Sequence, residues 1–166
     1  IVSSGKRLTT LVNDILDFSK LKEGEITLQR KPLDIREIAK LVVSISTPLV
    51  KDRPVEIEID IDEQLPLVFG DENRLQQIMH NLIGNAIKFT KRGKITVSAK
   101  EITNELSFSM IEIIVQDTGI GIPEDKLEDI FKSFEQGDAT TSRQYGGTGL
   151  GVSSTKKLIE VHVGTI

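Results

Sequence analysis

At 166 residues with 38% apolar side chains, the chain has the size of one ordinary domain and can close a single hydrophobic core, with at most an appendage. Its 21 basic and 25 acidic residues leave a net charge of −4 with no basic block, so nucleic acid is not an expected partner. No run approaches the roughly 20 apolar residues that cross a bilayer, Ile1 to Lys6 lacks the features of a signal peptide, and the lack of cysteine excludes a disulfide framework or thiolate zinc site. With only His80 and His162 as further metal ligands of that kind, a soluble, cytoplasmic segment is expected.

From Ile1 to Leu21 there is no proline, and Ile1, Leu8 and Ile15, then Leu11 and Phe18, fall on two seams of a heptad. The spacing predicts a helix with a partner, its face widened by Val12, Leu16 and Leu21 as in a small bundle; packing against its own domain is the alternative. Glu23-Gly24 interrupts the pattern, which divides the chain into residues 1–23 and 24–166. After an extended piece from Ile26 to Arg30, the capping-box pair Asp34 and Glu37 opens a helix that buries Ile35, Ile38, Leu41, Val42 and Ile45 and ends near Pro48.

Val55, Ile57, Ile59 and Ile61 alternate with Glu56, Glu58 and Asp60, a strand with one wet face. Asp71 caps a helix whose residues Leu75, Ile78, Met79, Leu82, Ile83 and Ala86 recur at three- and four-residue spacing and face the sheet. Two further strands, Lys94 to Lys100 and Leu106 to Val115, join through Thr103-Asn104-Glu105 as a hairpin. The sum is an α+β fold, with helices on one face of a mixed sheet.

Three clusters carry chemistry. On the helix after Asp71, the residues Gln77, Asn81, Gly84, Asn85 and Lys88 lie within about 100° of one another at about 100° per residue. Two amides four residues apart can offer carbonyl oxygens to a hard cation, and Lys88 one turn on can meet phosphate oxygens; a solvated face explains the same stripe.

The second cluster, Asp117-Thr118-Gly119-Ile120-Gly121-Ile122-Pro123, follows an apolar strand. Its glycines let a planar ligand approach backbone while the carboxylate accepts from an exocyclic amine, although a plain tight turn fits as well. Glu124 at the third glycine position and Pro123 exclude the dinucleotide fingerprint.

The third cluster, Gly146-Gly147-Thr148-Gly149-Leu150-Gly151, leads into a helix from Val152 to Val161, and such an N-terminus attracts phosphate. No lysine follows its last glycine, so it is not a Walker loop. The polar stretch from Glu135 to Tyr145 reads as a mobile lid, in which Arg143 reaches either a phosphate or solvent.

In order and spacing, NLIGNAIKFT (Asn81 to Thr90), DTGIGIP (Asp117 to Pro123), FKSFEQ (Phe131 to Gln136) and GGTGLG (Gly146 to Gly151) resemble the N box, first glycine box, F box and second glycine box of sensor histidine kinases. The resemblance covers essentially the whole chain, because NDILDFSKL (Asn13 to Leu21) is similar to the second helix of the family's dimerisation hairpin. It implies the Bergerat fold, a mainly antiparallel sheet backed by helices, with magnesium and ATP as cofactors and transfer of the γ-phosphoryl group to a histidine in two-component signalling.

By the same resemblance Asn85 and Asn81 hold the metal and phosphates, Lys88 a phosphate, Phe89 the adenine face and Asp117 the adenine amino group. Gly119, Gly121 and Ile122 shape the base pocket, with Arg143, Gly147, Thr148, Gly149, Leu150 and Gly151 around the phosphates. Phe131 and Phe134 anchor the lid or belong to the core. The implied partners are the phospho-accepting helix of the same kinase and a response-regulator receiver domain, in a parent that is a homodimer and is cytoplasmic or has this part on the cytoplasmic side of a membrane.

The family's accepting histidine sits on the hairpin helix before Ile1, and His80 does not replace it, lying about 100° from the polar stripe. This segment alone is therefore expected to bind ATP without phosphorylating itself. Relatives continue past Ile166 into a further strand pair, which predicts an open sheet edge. The competing readings are a gyrase-like ATPase clamp and a nucleotide-sensing module without phosphotransfer; the first uses an N-box glutamate as general base where this chain has Asn81.

Overall fold

The computed structural model describes residues 27–104, 107–127, 129–131 and 151–166. The helix expected over residues 1–23, Phe134, the whole lid from Glu135 to Tyr145 and the glycine cluster from Gly146 to Leu150 lie outside that set. The chain divides into two compact units, Leu28–Gly121, and Ile1–Thr27 with Ile122–Ile166.

In the first unit, β1 (Arg30–Leu33) pairs antiparallel with β3 (Val68–Asp71), Arg30 opposite Asp71 and Leu33 opposite Val68. This small sheet was not legible in the sequence, since neither strand is long enough to show an alternating pattern. Helix α1 (Ile35–Ser46) starts where Asp34 accepts the N–H groups of Arg36 at 2.8 Å and Glu37 at 3.4 Å. The reciprocal half of the capping box is not made, because the Glu37 carboxylate takes the Lys40 ammonium at 2.6 Å. Ile35, Ile38, Ala39 and Val42 are buried, but Leu41 and Ile45, expected in the core, are 44% and 59% exposed. The helix is covered along one stripe only, and these two lie on its outer edge. A 3₁₀ turn, Thr47–Val50, continues it and accepts Pro48 in its first turn, where no N–H is needed.

Three strands form the second sheet in the order β2 (Val55–Ile61), β4 (Gly93–Thr103), β5 (Ser109–Asp117). β2 runs parallel to β4, from Val55 opposite Gly93 to Ile61 opposite Ala99, and β5 runs antiparallel, from Thr103 opposite Ser109 to Ile95 opposite Asp117. The hairpin turns later than the sequence suggested. The Asn104 side chain accepts the Phe108 N–H at 2.9 Å while the Asn104 N–H donates to the Phe108 carbonyl at 3.0 Å, which closes the turn beyond Thr103. Ile95 and Val97 are fully buried on the helix side, whereas Glu56, Glu58 and Asp60 line the wet face, as the alternation predicted.

Helix α2 (Glu72–Phe89) is capped by Asp71, packs on β4, β5 and α1, and buries Leu75, Ile78, Met79, Ile83 and Ala86. Leu82 is only half-buried and Ile87 joins the buried set, because α1 covers the helix from a second side.

In the other unit, 3₁₀ turns cover Glu124–Lys126 and Asp129–Phe131, and α3 spans Gly151–Val161 with Leu158 fully buried. The Lys156 ammonium lies 5.4 Å from the centre of the Phe131 ring, a cation–π contact. Among the described residues no helix is long and apolar enough to cross a membrane.

Candidate functional site

The site is built where the end of α2 meets the end of β5. The helix stops at Phe89 because Thr90 takes an extended backbone (φ −102°, ψ 108°), while its N–H still donates to the Ala86 carbonyl at 3.0 Å. Thr90 is fully buried, and its hydroxyl donates to Asp117 Oδ1 at 3.4 Å. Beyond Asp117 the chain stays tied to β4, since the Thr118 N–H donates to the Lys94 carbonyl at 3.1 Å and Thr118 Oγ1 accepts the Lys94 N–H at 3.0 Å.

The turn then folds back against the helix end. The Gly119 N–H donates to Asp117 Oδ1 at 2.8 Å and the Ile120 N–H to the Phe89 carbonyl at 3.4 Å. A Cβ on residue 119 would stand 2.6 Å from that carbonyl and 2.7 Å from Asp117 Oδ1, so only glycine allows this approach. Gly121 adopts φ +70°, the left-handed conformation that favours glycine.

Both bonds to the Asp117 carboxylate fall on Oδ1. Oδ2 takes none from the described residues, and the side chain is exposed. Its orientation is therefore set from one side while an acceptor faces outward. On the last turn of α2 stands Lys88, with its ammonium 4.9 Å from the Phe89 ring centre. Burial holds the Lys88 pKa below the usual lysine value, and no carboxylate among the described residues balances its charge. One turn back the half-buried Asn85 amide makes no hydrogen bond to described residues, and apart from the surrounding turns of α2 itself nothing lies within 4 Å of where a Cβ on Gly84 would sit. An outward acceptor, an unbalanced cation, an uncommitted amide and a side-chain-free gap fit a polyanion bearing an amine-substituted ring.

Asn81, half-buried, lies a further turn toward the helix start, and Gln77 is engaged by Arg74 Nη1 at 2.9 Å. His80 is exposed. Ile122 and Gly151 belong to the other unit, Ile122 exposed and Gly151 opening α3. Arg143, Gly147, Thr148, Gly149 and Leu150 lie outside the described residues.

A separate hollow at the other end of α2, lined by Lys31, Leu33, Glu37, Ile38, Leu41 and Glu72, has a different character. Lys31 and Glu72 pair across it and Glu37 holds Lys40, so its charges are already balanced. Sequence reasoning did not single out Thr90, Thr118 or Arg53, whose guanidinium Nη2 donates to the Ile87 carbonyl at 2.9 Å and to that of Thr90. Thr90 stood inside the quoted N-box string without a role, and Arg53 sits in a charged loop that reads as solvated.

The family model of histidine kinase-, DNA gyrase B- and HSP90-like ATPases matches residues 70–166, more than half of the chain, and the chain belongs to that family. Within it the relatives are sensor kinases: over 170 residues the chain is 41% identical to the autoinducer 2 sensor kinase/phosphatase LuxQ of Vibrio vulnificus, covering all of this chain and 20% of that protein. It thus spans about a fifth of that curated relative. The crystal structure of full-length ShkA in complex with AMPPNP matches with a TM-score of 0.83 at 34% identity, over 95% of this chain and 32% of that one. Histidine kinase ThkA, solved in complex with the response regulator protein TrrA, matches with a TM-score of 0.73 at 26% identity, over 98% and 43%. The α+β architecture expected from the sequence is the one observed, and the domain is a histidine kinase-type ATPase domain.

Proposed function

We propose that this chain binds ATP with magnesium along the C-terminal half of α2 and the Asp117 turn, and donates the γ-phosphoryl group to a histidine on a dimerisation helix that is not among these residues. The observation that supports this best is the Asp117 carboxylate, held through Oδ1 alone among the described residues at a turn that folds back on the end of α2, the helix that carries Lys88. Asp117 Oδ2 accepts from the adenine amino group, Phe89 borders the base, and Lys88, without a carboxylate partner among the described residues, meets a phosphate. Asn85 and Asn81 offer amide oxygens to the metal, which neutralises phosphate charge when bound and draws its other ligands from phosphate and water. Gly119, Gly121 and Ile122 shape the base end; Arg143, Gly147, Thr148, Gly149, Leu150 and Gly151 serve the phosphates.

Phosphoryl transfer asks chiefly for positioning and charge neutralisation, so no side chain here needs to act as nucleophile. Asn81 stands where gyrase-type relatives carry their general base, and an amide cannot take a proton from water. Hydrolysis is accordingly slow, and turnover on the order of 1 per second or faster would favour the ATPase-clamp reading instead. Residues 1–23 are assigned to the second helix of the dimerisation hairpin and 24–166 to the catalytic domain. In the parent, a homodimer with its catalytic part in the cytoplasm, the further partner is a response-regulator receiver domain; the similar kinase ThkA has been solved in complex with the response regulator protein TrrA.

The test is a titration with ATP, ADP and GTP, with and without magnesium, followed by protein chemical shifts. Binding of ATP and ADP over GTP, with shifts at Asn85, Lys88, Phe89 and Gly119, is expected. Shifts confined to other surfaces, or no adenine preference, would overturn the assignment. Acid-labile phosphate should appear only when the preceding hairpin helix is restored; its appearance on this chain alone would refute the placement of the acceptor.

A further inference from the structure

We infer that Arg53 is a positioning residue for base selection, acting on Asp117 through Thr90. The inference rests on the nucleotide reading above and extends it to a residue that need not touch the ligand.

Arg53 lies in the turn before β2, where its N–H donates to the Val50 carbonyl at 2.9 Å and its carbonyl accepts the Val55 N–H at 2.8 Å. The next residue anchors the other side of the same corner, as the Pro54 carbonyl accepts the Gly93 N–H at 2.8 Å. From this fixed base the guanidinium reaches the end of α2, 34 residues on, and donates from Nη2 to the carbonyls of Ile87 and Thr90. Carbonyls in the last turn of a helix have no partner within it and carry the negative end of its dipole, so a cation is favoured there.

The capping has a directional consequence. Thr90 is the only link among the described residues that takes a bond from Arg53 on its backbone and gives one from its hydroxyl to Asp117 Oδ1. Ile87 and Thr90 also bracket Lys88 and Phe89, and the Phe89 carbonyl receives the Ile120 N–H. Fixing the carbonyls at residues 87 and 90 therefore fixes the rotation of the helix end relative to the Asp117 turn. With Thr90 loosened, Asp117 keeps, among the described residues, only the Gly119 N–H, a donor from its own turn, and Oδ2 loses its set direction. An acceptor that must meet one exocyclic amine is sensitive to such a loss, whereas phosphate contacts tolerate it.

The experiment compares the ATP-to-GTP affinity ratio, with magnesium, in the wild-type chain, Arg53→Met, Thr90→Val and the double variant. Arg53→Met keeps the aliphatic stem and removes the donors. Each single change should lower the ratio about 3- to 10-fold, one hydrogen bond's worth, and the double variant should fall no more than about 2-fold below either single one. A purely structural cap would lower the melting temperature while leaving the ratio unchanged, and that result overturns the inference. Full additivity of the two changes does so too, since it would separate Arg53 from Thr90.

If Arg53→Met does not fold, Arg53→Lys carries the test. Its ammonium sits one bond short of both carbonyls, and a ratio lowered at least about 2-fold supports the inference, whereas a wild-type ratio overturns it. A wild-type chain without adenine preference removes the nucleotide reading and this inference together. A selective wild type with an equally selective Arg53→Met removes the inference alone.

Discussion

Asp71 and Asp117 each stand at the end of a strand, and the contrast between them separates a structural carboxylate from a ligand-facing one. Asp71 is 7% exposed with both oxygens engaged: Oδ2 accepts the Gln29 N–H at 2.8 Å and Oδ1 the Arg74 N–H at 3.2 Å. Burial raises its pKa, but the N–H donors of Gln29, Arg74 and Asn73 outweigh burial and hold it below the usual value. Asp117 is exposed, with Oδ1 engaged and Oδ2 presented outward. What distinguishes them is how many lone pairs the fold has already claimed, and four changes test that distinction.

The largest effect is expected at Asp117. Asp117→Ala should cost roughly 1.5–3 kcal/mol of ATP binding, about 10- to 150-fold, as a charge-assisted hydrogen bond does, with little change in unfolding free energy. Calorimetry showing unchanged affinity would count against the base contact.

Asp71→Ala should do the reverse, lowering unfolding free energy by about 1–2 kcal/mol through loss of the α2 cap and the Gln29 bond. The sign with pH follows from the lowered native pKa: Asp71's contribution is present above the ordinary carboxylate value and lost as pH falls through the depressed native one. Urea unfolding at pH 3 to 7 should show a shallower acid decline for Asp71→Ala than for the wild type, and parallel curves would contradict it.

Asn85→Ala should weaken ATP about 5- to 10-fold with magnesium and less than about 2-fold without it, on the scale of one lost hydrogen bond or weaker. Equal losses would exclude a metal-side role.

The smallest effect concerns protons. Lys88 titrates below 10.5 in the free chain and binds phosphate as the ammonium, so ATP affinity should decline a few-fold as pH rises through that lowered value. The decline should be absent in Lys88→Gln, and a wild-type profile matching that variant would assign the proton elsewhere.

Much of the fold was legible where the signal is local. The α2 stripe, the alternation of β2 and the Asp117 turn each follow from spacing within a few residues, and both helix caps, Asp34 and Asp71, were correctly read. The missed features are all products of distant segments. β1 and β3 define each other only by pairing, the hairpin turn was displaced by the Asn104 side chain, and Leu41 and Ile45 are left uncovered although their periodicity matches buried neighbours. Within the site, the residue types and the different settings of Asp71 and Asp117 were visible, but not which carboxylate oxygens the fold engages, since those partners include Gln29 and Thr90 from distant segments.

The sequence by itself determined the element types, the amide-bearing stripe and the glycines of the Asp117 turn, because periodicity, capping and backbone sterics act over neighbouring residues. Only the tertiary structure decided which polar atoms remain available. Arg53 meets Thr90 across 37 residues and Thr90 meets Asp117 across 27, and pairing at that range is set by how strands and helix pack rather than by any local preference.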